Sequence, residues 1–285
     1  MAKNTVSTPN TCSSTVVIKI GSNALLDARG GLDEELLRGF SAQLASICEE
    51  GGCPILVSSG AVATGRAFAA AGPKPIVQRH ALAAIGQAQL ASAWQDAMMS
   101  ASLQAAQILV TEDDFSDSAR FDALQHTLRQ LLEAGIIPIV NENDAVPGVQ
   151  KAIGDNDWLA AELAVRMGAE RVLFLTDIDG VYDADPRVEV TARRVAIVDD
   201  NGRSLIDAAG GPDEHGTGGM RSKLLAASLA SANGVHATIA RASDERVIER
   251  CVAEEDIGTR VLAEPEVAEH EFHSREHRAR QLRAL

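Results

Sequence analysis

The sequence predicts an α/β fold: a largely parallel sheet with helices on both faces. Three observations carry this. Short, unbroken apolar runs recur along the chain, helical periods lie between them, and glycines and polar residues gather just after the runs.

The runs suit strands buried on both faces. In order they are "TVVIKI" (15–20), "PILV" (54–57), "AQILV" to Val110, "IIPIV" to Val140, "RVLFL" to Leu175, "RVAIV" to Val198 and "VHATIA" to Ala240. The helical periods follow the same order. Leu36, Leu37, Phe40, Leu44 and Ile47 recur at three and four, as do Leu124, Leu128, Leu131 and Leu132. Leu159, Leu163 and Met167 form a third set, and Leu224, Leu225 and Leu229 a fourth. Residues 1–14 form a polar tail without an apolar signal core, expected to be disordered. Residues 15–263 form the domain. Residues 264–285 are a charged tail, where His270, His273 and His277 read as a solvated face.

Composition removes some functions. Hydrophobic residues make up 46% and charged residues 23% of 285, as in globular proteins. The formal net charge is −14, which repels a phosphate backbone and argues against nucleic-acid partners. No apolar run reaches the roughly 20 residues a membrane helix needs. Cys12, Cys48, Cys53 and Cys251 form no C-x-x-C pair and are expected to be free thiols in a reducing cytoplasm.

In open α/β sheets, ligands bind beyond the carboxyl ends of the strands. Lys19-Ile20-Gly21-Ser22 stands at the first such end and Ser58-Ser59-Gly60-Ala61 at the second. "NEND" (141–144) follows the fourth run, and Thr176-Asp177-Ile178-Asp179-Gly180 the fifth. "GDND" (154–157) and "GTGGMRSK" (216–223) each precede a helix. Glycine turns let backbone N–H groups approach phosphate oxygens, and three such turns together suggest a polyphosphate site. Neither G-x-x-x-x-G-K-[ST] nor G-x-G-x-x-G is present, so P-loop and dinucleotide readings lose support. Lys19 interrupts an apolar strand, and Lys223 opposes the dipole at a helix start; both make sense beside a transferring phosphoryl group. Asp155 and Asp157 would orient these lysines or bind Mg²⁺, and Asp157 also suits a helix N-cap.

The ordered set "VVIKIGSN", "VSSGAVATGR", "NENDAV", "GDNDWLAA", "TDIDGVYDADPR" and "GTGGMRSK" resembles the glutamate 5-kinases, a branch of the amino acid kinase family. "GQAQL", "RFDALQHTLRQLLEAGIIPIVNEND" and "IGTRVL" match as well, so the resemblance runs from about Val16 to Arg260. It implies a three-layer αβα sandwich and ATP-dependent phosphorylation of the side-chain carboxylate of L-glutamate, the first step towards proline. Ser59, Asp144 and Asn156 match glutamate-binding positions. Lys19 and Lys223 match the lysines that stabilise the phosphoryl group, and Asp157 the carboxylate that positions them. Gly21, Thr176, Asp177 and Thr217-Gly218-Gly219-Met220-Arg221-Ser222-Lys223 match nucleotide-binding segments. Implied with these are ATP, Mg²⁺ (Asp155 a candidate contact), cytoplasmic location and a homodimer or homotetramer.

The resemblance also implies feedback by proline through residues 145–153 and Asp114. Gln150 stands where an acid is common, so weakened feedback is expected. Arg221-Ser222 and Trp158 also depart from the pattern. Trp158 leaves open a paralogue acting on another small carboxylate, and a non-catalytic amino-acid sensor is the alternative from another class. Many bacterial relatives carry a further C-terminal PUA domain, and the form without it is expected here.

Overall fold

The structure is a computed structural model describing residues 12–27, 30–70, 78–146, 156–186, 188–198, 205–206 and 219–263. The strands are β1 (Ser14–Ile20), β2 (Gly52–Ser58), β3 (Gln104–Val110), β4 (Ile136–Glu142), β5 (Arg171–Thr176), β6 (Ile197–Val198), β7 (His236–Arg241) and β8 (Thr259–Val261). The helices used below are α1 (Glu34–Glu49), α2 (Ala61–Ala70), α3 (Arg79–Ser100), α4 (Glu112–Ser116), α5 (Ser118–Glu133), α6 (Asn156–Met167), α7 (Met220–Ser231) and α8 (Val247–Val252).

Among the described residues the sheet has eight strands in the order β3-β4-β2-β1-β5-β7-β8-β6. All neighbours are parallel except β7 and β8. Helical crossovers are what parallel neighbours require, and they place helices on both faces.

Side-chain alternation along β1 divides the core in two. Val16, Ile18 and Ile20 join α1, α3 and α8 on one face. Val17 joins α5, α6 and α7 on the other. Lys19 shares the parity of Val17, so it faces the α6–α7 layer. The three-layer expectation holds.

Three features differ from the sequence reading. The "RVAIV" run contributes only Ile197–Val198 as strand among the described residues. The short strand β8 was not anticipated: its three residues carry no run long enough to read, and pairing with β7 and β6 creates it. Cys12 and Cys53, expected as free thiols, are joined in a disulfide with a Cα separation of 5.7 Å. The parallel register Thr15↔Cys53 brings the chain before β1 to the start of β2. Cys48 and Cys251 are free, and burial pushes the Cys251 thiol up to about 12.

Helices α2 and α3 approach more closely than ordinary side chains permit. A Cβ on Gly65 would lie 1.9 Å from the Leu82 carbonyl oxygen, and one on Gly86 only 1.8 Å from that of Ala61. This glycine contact seats α3 directly beside the turn that follows β2.

Candidate active site

Lys19 on β1, Asp157 in the first turn of α6 and Lys223 in the first turn of α7 converge on the α6–α7 side of the sheet. Lys19 Nζ lies 2.5 Å from Asp157 Oδ1, and Lys223 Nζ lies 3.3 Å from Oδ2. Asp157 is fully buried, and both lysines are nearly so. Burial pushes the Asp157 carboxyl up, but the two ammoniums outweigh it and hold it below its ordinary value. Each carboxylate oxygen of Asp157 thus faces one ammonium. Gly21 follows, its N–H donating to the Leu175 carbonyl at 3.0 Å. A Cβ there would come within 3.8 Å of Lys19 Nζ.

A second, uncharged cluster adjoins the trio through Asn156, the residue before Asp157. Asn156 Nδ2 donates to Ser59 Oγ at 2.8 Å and to Asn141 Oδ1 at 2.9 Å. Asn141 Nδ2 donates to Gln87 Oε1 at 2.8 Å, and Trp94 Nε1 to Ser58 Oγ at 2.8 Å. Gly60, at φ +107°, makes the turn from β2 into α2, a conformation that favours glycine. Asp144 is held differently. Its carboxylate pairs with Arg79 at 3.2 Å, and its carbonyl oxygen lies 2.7 Å from His80 Nδ1.

Beyond β5, Thr176 Oγ1 donates to Asp177 Oδ1 at 2.9 Å. Tyr182 donates its hydroxyl to Asp179 at 3.0 Å, and Arg241 at the end of β7 pairs with the same carboxylate at 3.3 Å. The hydrogen bond to Asp179 raises the Tyr182 phenol above its ordinary value. Gly219-Met220-Arg221-Ser222 opens α7 beside Lys223. Asp155, Thr217, Gly218 and Gln150 lie outside the described residues. Trp158 is buried in the apolar cluster of the α5–α6–α7 layer. Among the described residues no group of three or more His, Cys, Asp or Glu could hold a metal.

Direct contacts thus join Lys19, Asp157 and Lys223 to one another and Asn156 to Ser59, and the Asn156–Asp157 peptide bond links the two groups. Gln87, Arg79, His80 and Trp94 were not anticipated. All four lie on α3, whose polar and alanine-rich sequence shows core spacing only when Ala83, Gly86 and Ala97 are counted with Leu82, Leu90, Trp94 and Met98.

The buried lysine–aspartate–lysine group thus joins strand β1 to the opening turns of α6 and α7. The family model described as "Amino acid kinase family" matches residues 14–241. The chain belongs to the amino acid kinase family. Curated relatives named "Glutamate 5-kinase" include those of Citrifermentans bemidjiense and Stutzerimonas stutzeri. The first is 42% identical over 87% of this chain and 67% of its own length. The second is 42% identical over 89% of this chain and 68% of its own length. The chain therefore spans about two thirds of the length of these relatives. Among solved structures, carbamate kinase from Giardia lamblia bound to AMP-PNP superposes with a TM-score of 0.67 at 19% identity, covering 89% of this chain and 100% of that one. UMP kinase from Bacillus anthracis gives a TM-score of 0.59 at 18% identity, covering 89% and 98%. These two likenesses concern the fold alone.

Proposed function

We propose that the chain is a glutamate 5-kinase: it transfers the γ-phosphoryl group of ATP to the side-chain carboxylate of L-glutamate, giving L-glutamyl 5-phosphate, the first step of proline biosynthesis. The observation that supports the phosphotransferase reading is the buried Lys19–Asp157–Lys223 group, two ammoniums held by one carboxylate. The choice of glutamate rests on relatives at 42% identity that bear that name.

A glutamate carboxylate is ionised at neutral pH, so no general base is required. One of its oxygens attacks the γ-phosphorus in line, and the bond from that phosphorus to the β–γ bridging oxygen breaks, releasing ADP. Negative charge spreads over the three equatorial oxygens of the moving group. Lys19 and Lys223 are placed to neutralise it, and Asp157 holds both ammoniums so that little reorganisation accompanies the transfer. Asn156, Ser59 and Asp144 are assigned to the acceptor. The segment 217–223 with Thr176 and Asp177 is assigned to the nucleotide.

Magnesium is proposed to arrive on the nucleotide phosphates. Both Asp157 oxygens are engaged by lysines, and Mg²⁺ ordinarily keeps several waters and binds through few carboxylates. Bound there, it would supply further neutralisation of phosphate charge.

Proline feedback, a cytoplasmic location and a homodimer or homotetramer belong to the same proposal. Asp114 carries part of the feedback assignment. Burial opposes ionisation of its carboxyl, but hydrogen bonds from Thr111 and Arg120 outweigh this and hold it below its ordinary value. The decisive assay is ADP release with glutamate, aspartate and N-acetylglutamate supplied separately, with hydroxylamine present to trap an acyl phosphate. Glutamate alone should yield hydroxamate; a product only from another acceptor would overturn the assignment.

A further inference from the structure

We propose that Gln87 and Gln107 are positioning residues. With Asn141, whose direction the Glu142 N–H sets, they form a one-way chain of carboxamides that holds the Asn156 amide with its oxygen towards the acceptor substrate. The substrate half of this inference rests on the functional reading above; the direction of the chain does not.

A carboxamide has two ends of similar shape and opposite hydrogen-bonding character, so its surroundings must decide which way it points. Here the decision begins at the backbone. Glu142 N donates to Asn141 Oδ1 at 2.9 Å, and a backbone N–H can only donate. Asn141 is 2% exposed. Turning its amide over would set donor against donor and strand both. With Oδ1 so placed, Asn156 must offer it an N–H, as observed. Asn141 Nδ2 must then find an acceptor, which Gln87 Oε1 supplies. Gln87 Nε2 in turn donates to Gln107 Oε1 at 3.0 Å. Every link runs in the same sense, from α6 through β4 and α3 to the exposed Gln107 on the edge strand β3.

The direction has a consequence at the site. Asn156 Nδ2 has two hydrogens, and Ser59 Oγ and Asn141 Oδ1 take both. Its Oδ1 is buried and accepts no hydrogen bond from the described residues. A buried carbonyl oxygen in that state calls for a donor. An amino-acid substrate brings one in its α-ammonium. Asn156 therefore serves the substrate as an acceptor, and the relay keeps it from turning its NH₂ towards that ammonium.

Two pairs of variants test direction against mere packing. Gln87→Leu keeps the volume but removes the acceptor for Asn141, whereas Gln87→Glu keeps that acceptor, and the exposed Gln107 amide can turn to donate to it. KM for the acceptor should rise about tenfold in Gln87→Leu, the effect of one stranded buried donor. Gln87→Glu should recover most of that loss, with KM for ATP little moved in either. At the exposed end, where folding is not at risk, Gln107→Lys sets a donor against the Gln87 amide and should raise acceptor KM about threefold, while Gln107→Glu should raise it less.

The ligand-free readout is the side-chain ¹⁵N–¹H signal pair of Asn156. It should shift in Gln87→Leu and keep its position in Gln87→Glu. Indistinguishable members within both pairs, in KM and in the amide signals, would overturn the relay. Failure of the wild type to phosphorylate glutamate would overturn the functional reading instead, and the amide signals would still decide the relay.

Discussion

Two halves of the site meet at consecutive residues of α6. Asp157 belongs to a cluster of buried charges, and Asn156 to a cluster of amides and hydroxyls. The charged half has no directional ambiguity: an ammonium attracts an anion from any side, and what matters is how many charges are buried together. The amide half has no net charge, and what matters is which atom points where. The first suits a phosphoryl group whose charge is spread over several oxygens. The second suits a small acceptor that must present one particular carboxylate.

The largest effect should come from the centre of the charged half. Asp157→Asn leaves two buried lysines without their carboxylate and should destabilise the fold by about 3–5 kcal/mol, read from urea denaturation. Asn156→Ala should cost far less by the same measurement; equal losses would erase the distinction between the halves. Next, Lys19→Ala and Lys223→Ala should each remove about 3 kcal/mol or more of transition-state stabilisation, roughly a hundredfold in kcat, with the fold retained. Near-normal turnover in either variant would remove the charged half from the chemistry.

The amide half depends on how closely α3 is seated. Gly86→Ala should overpack its contact with the Ala61 carbonyl and lower stability by about 1–3 kcal/mol. Gly39→Ala in α1, where a Cβ meets nothing within 4 Å, should instead raise it by about 0.5–1 kcal/mol. Thermal melting of the two variants should move in opposite directions. Smaller again, Asp144→Ala and Asn156→Ala should raise KM for glutamate about tenfold and leave KM for ATP nearly unchanged. An equal rise for both substrates would make these residues structural.

The smallest expected effect concerns acid. The folded-state pKa of Asp157 is depressed, so the unfolded chain takes up its proton first as pH falls. The resulting stabilisation is fully present above the ordinary aspartate value near 4. It is lost as pH falls from there through the lower folded-state value. Between those limits, Asp157→Asn should lose stability with pH less steeply than the wild type. Identical slopes would mean that Asp157 is not held ionised by the lysines.

Where the sequence was legible, the signal was local. Strands buried on both faces need unbroken apolar runs, so β1, β2, β4, β5 and β7 could be read directly. Lys19 stood out because it interrupts such a run, and Lys223 because it opposes a helix dipole. Helices α2 and α3 gave weaker signals, since their contact is made by glycine and alanine, which carry little apolar area. Asn141 and Asp144 were visible within one motif, yet nothing local distinguishes them. Asn141 turns into the amide chain, while Asp144 pairs with Arg79.

The sequence by itself determined the parallel α/β architecture, the edge of the sheet where the candidate site lies, and the residue types gathered there, because period, turn chemistry and misplaced charge are properties of neighbours along the chain. Only the tertiary structure decided that one buried carboxylate bridges both lysines, that Gln87 and Gln107 stand behind Asn141, and that Cys12 meets Cys53. Ion pairing, amide direction and disulfide formation all depend on distances across the fold. Residues 66 positions apart, as Asp157 and Lys223 are, become partners only when strand order brings their helices side by side.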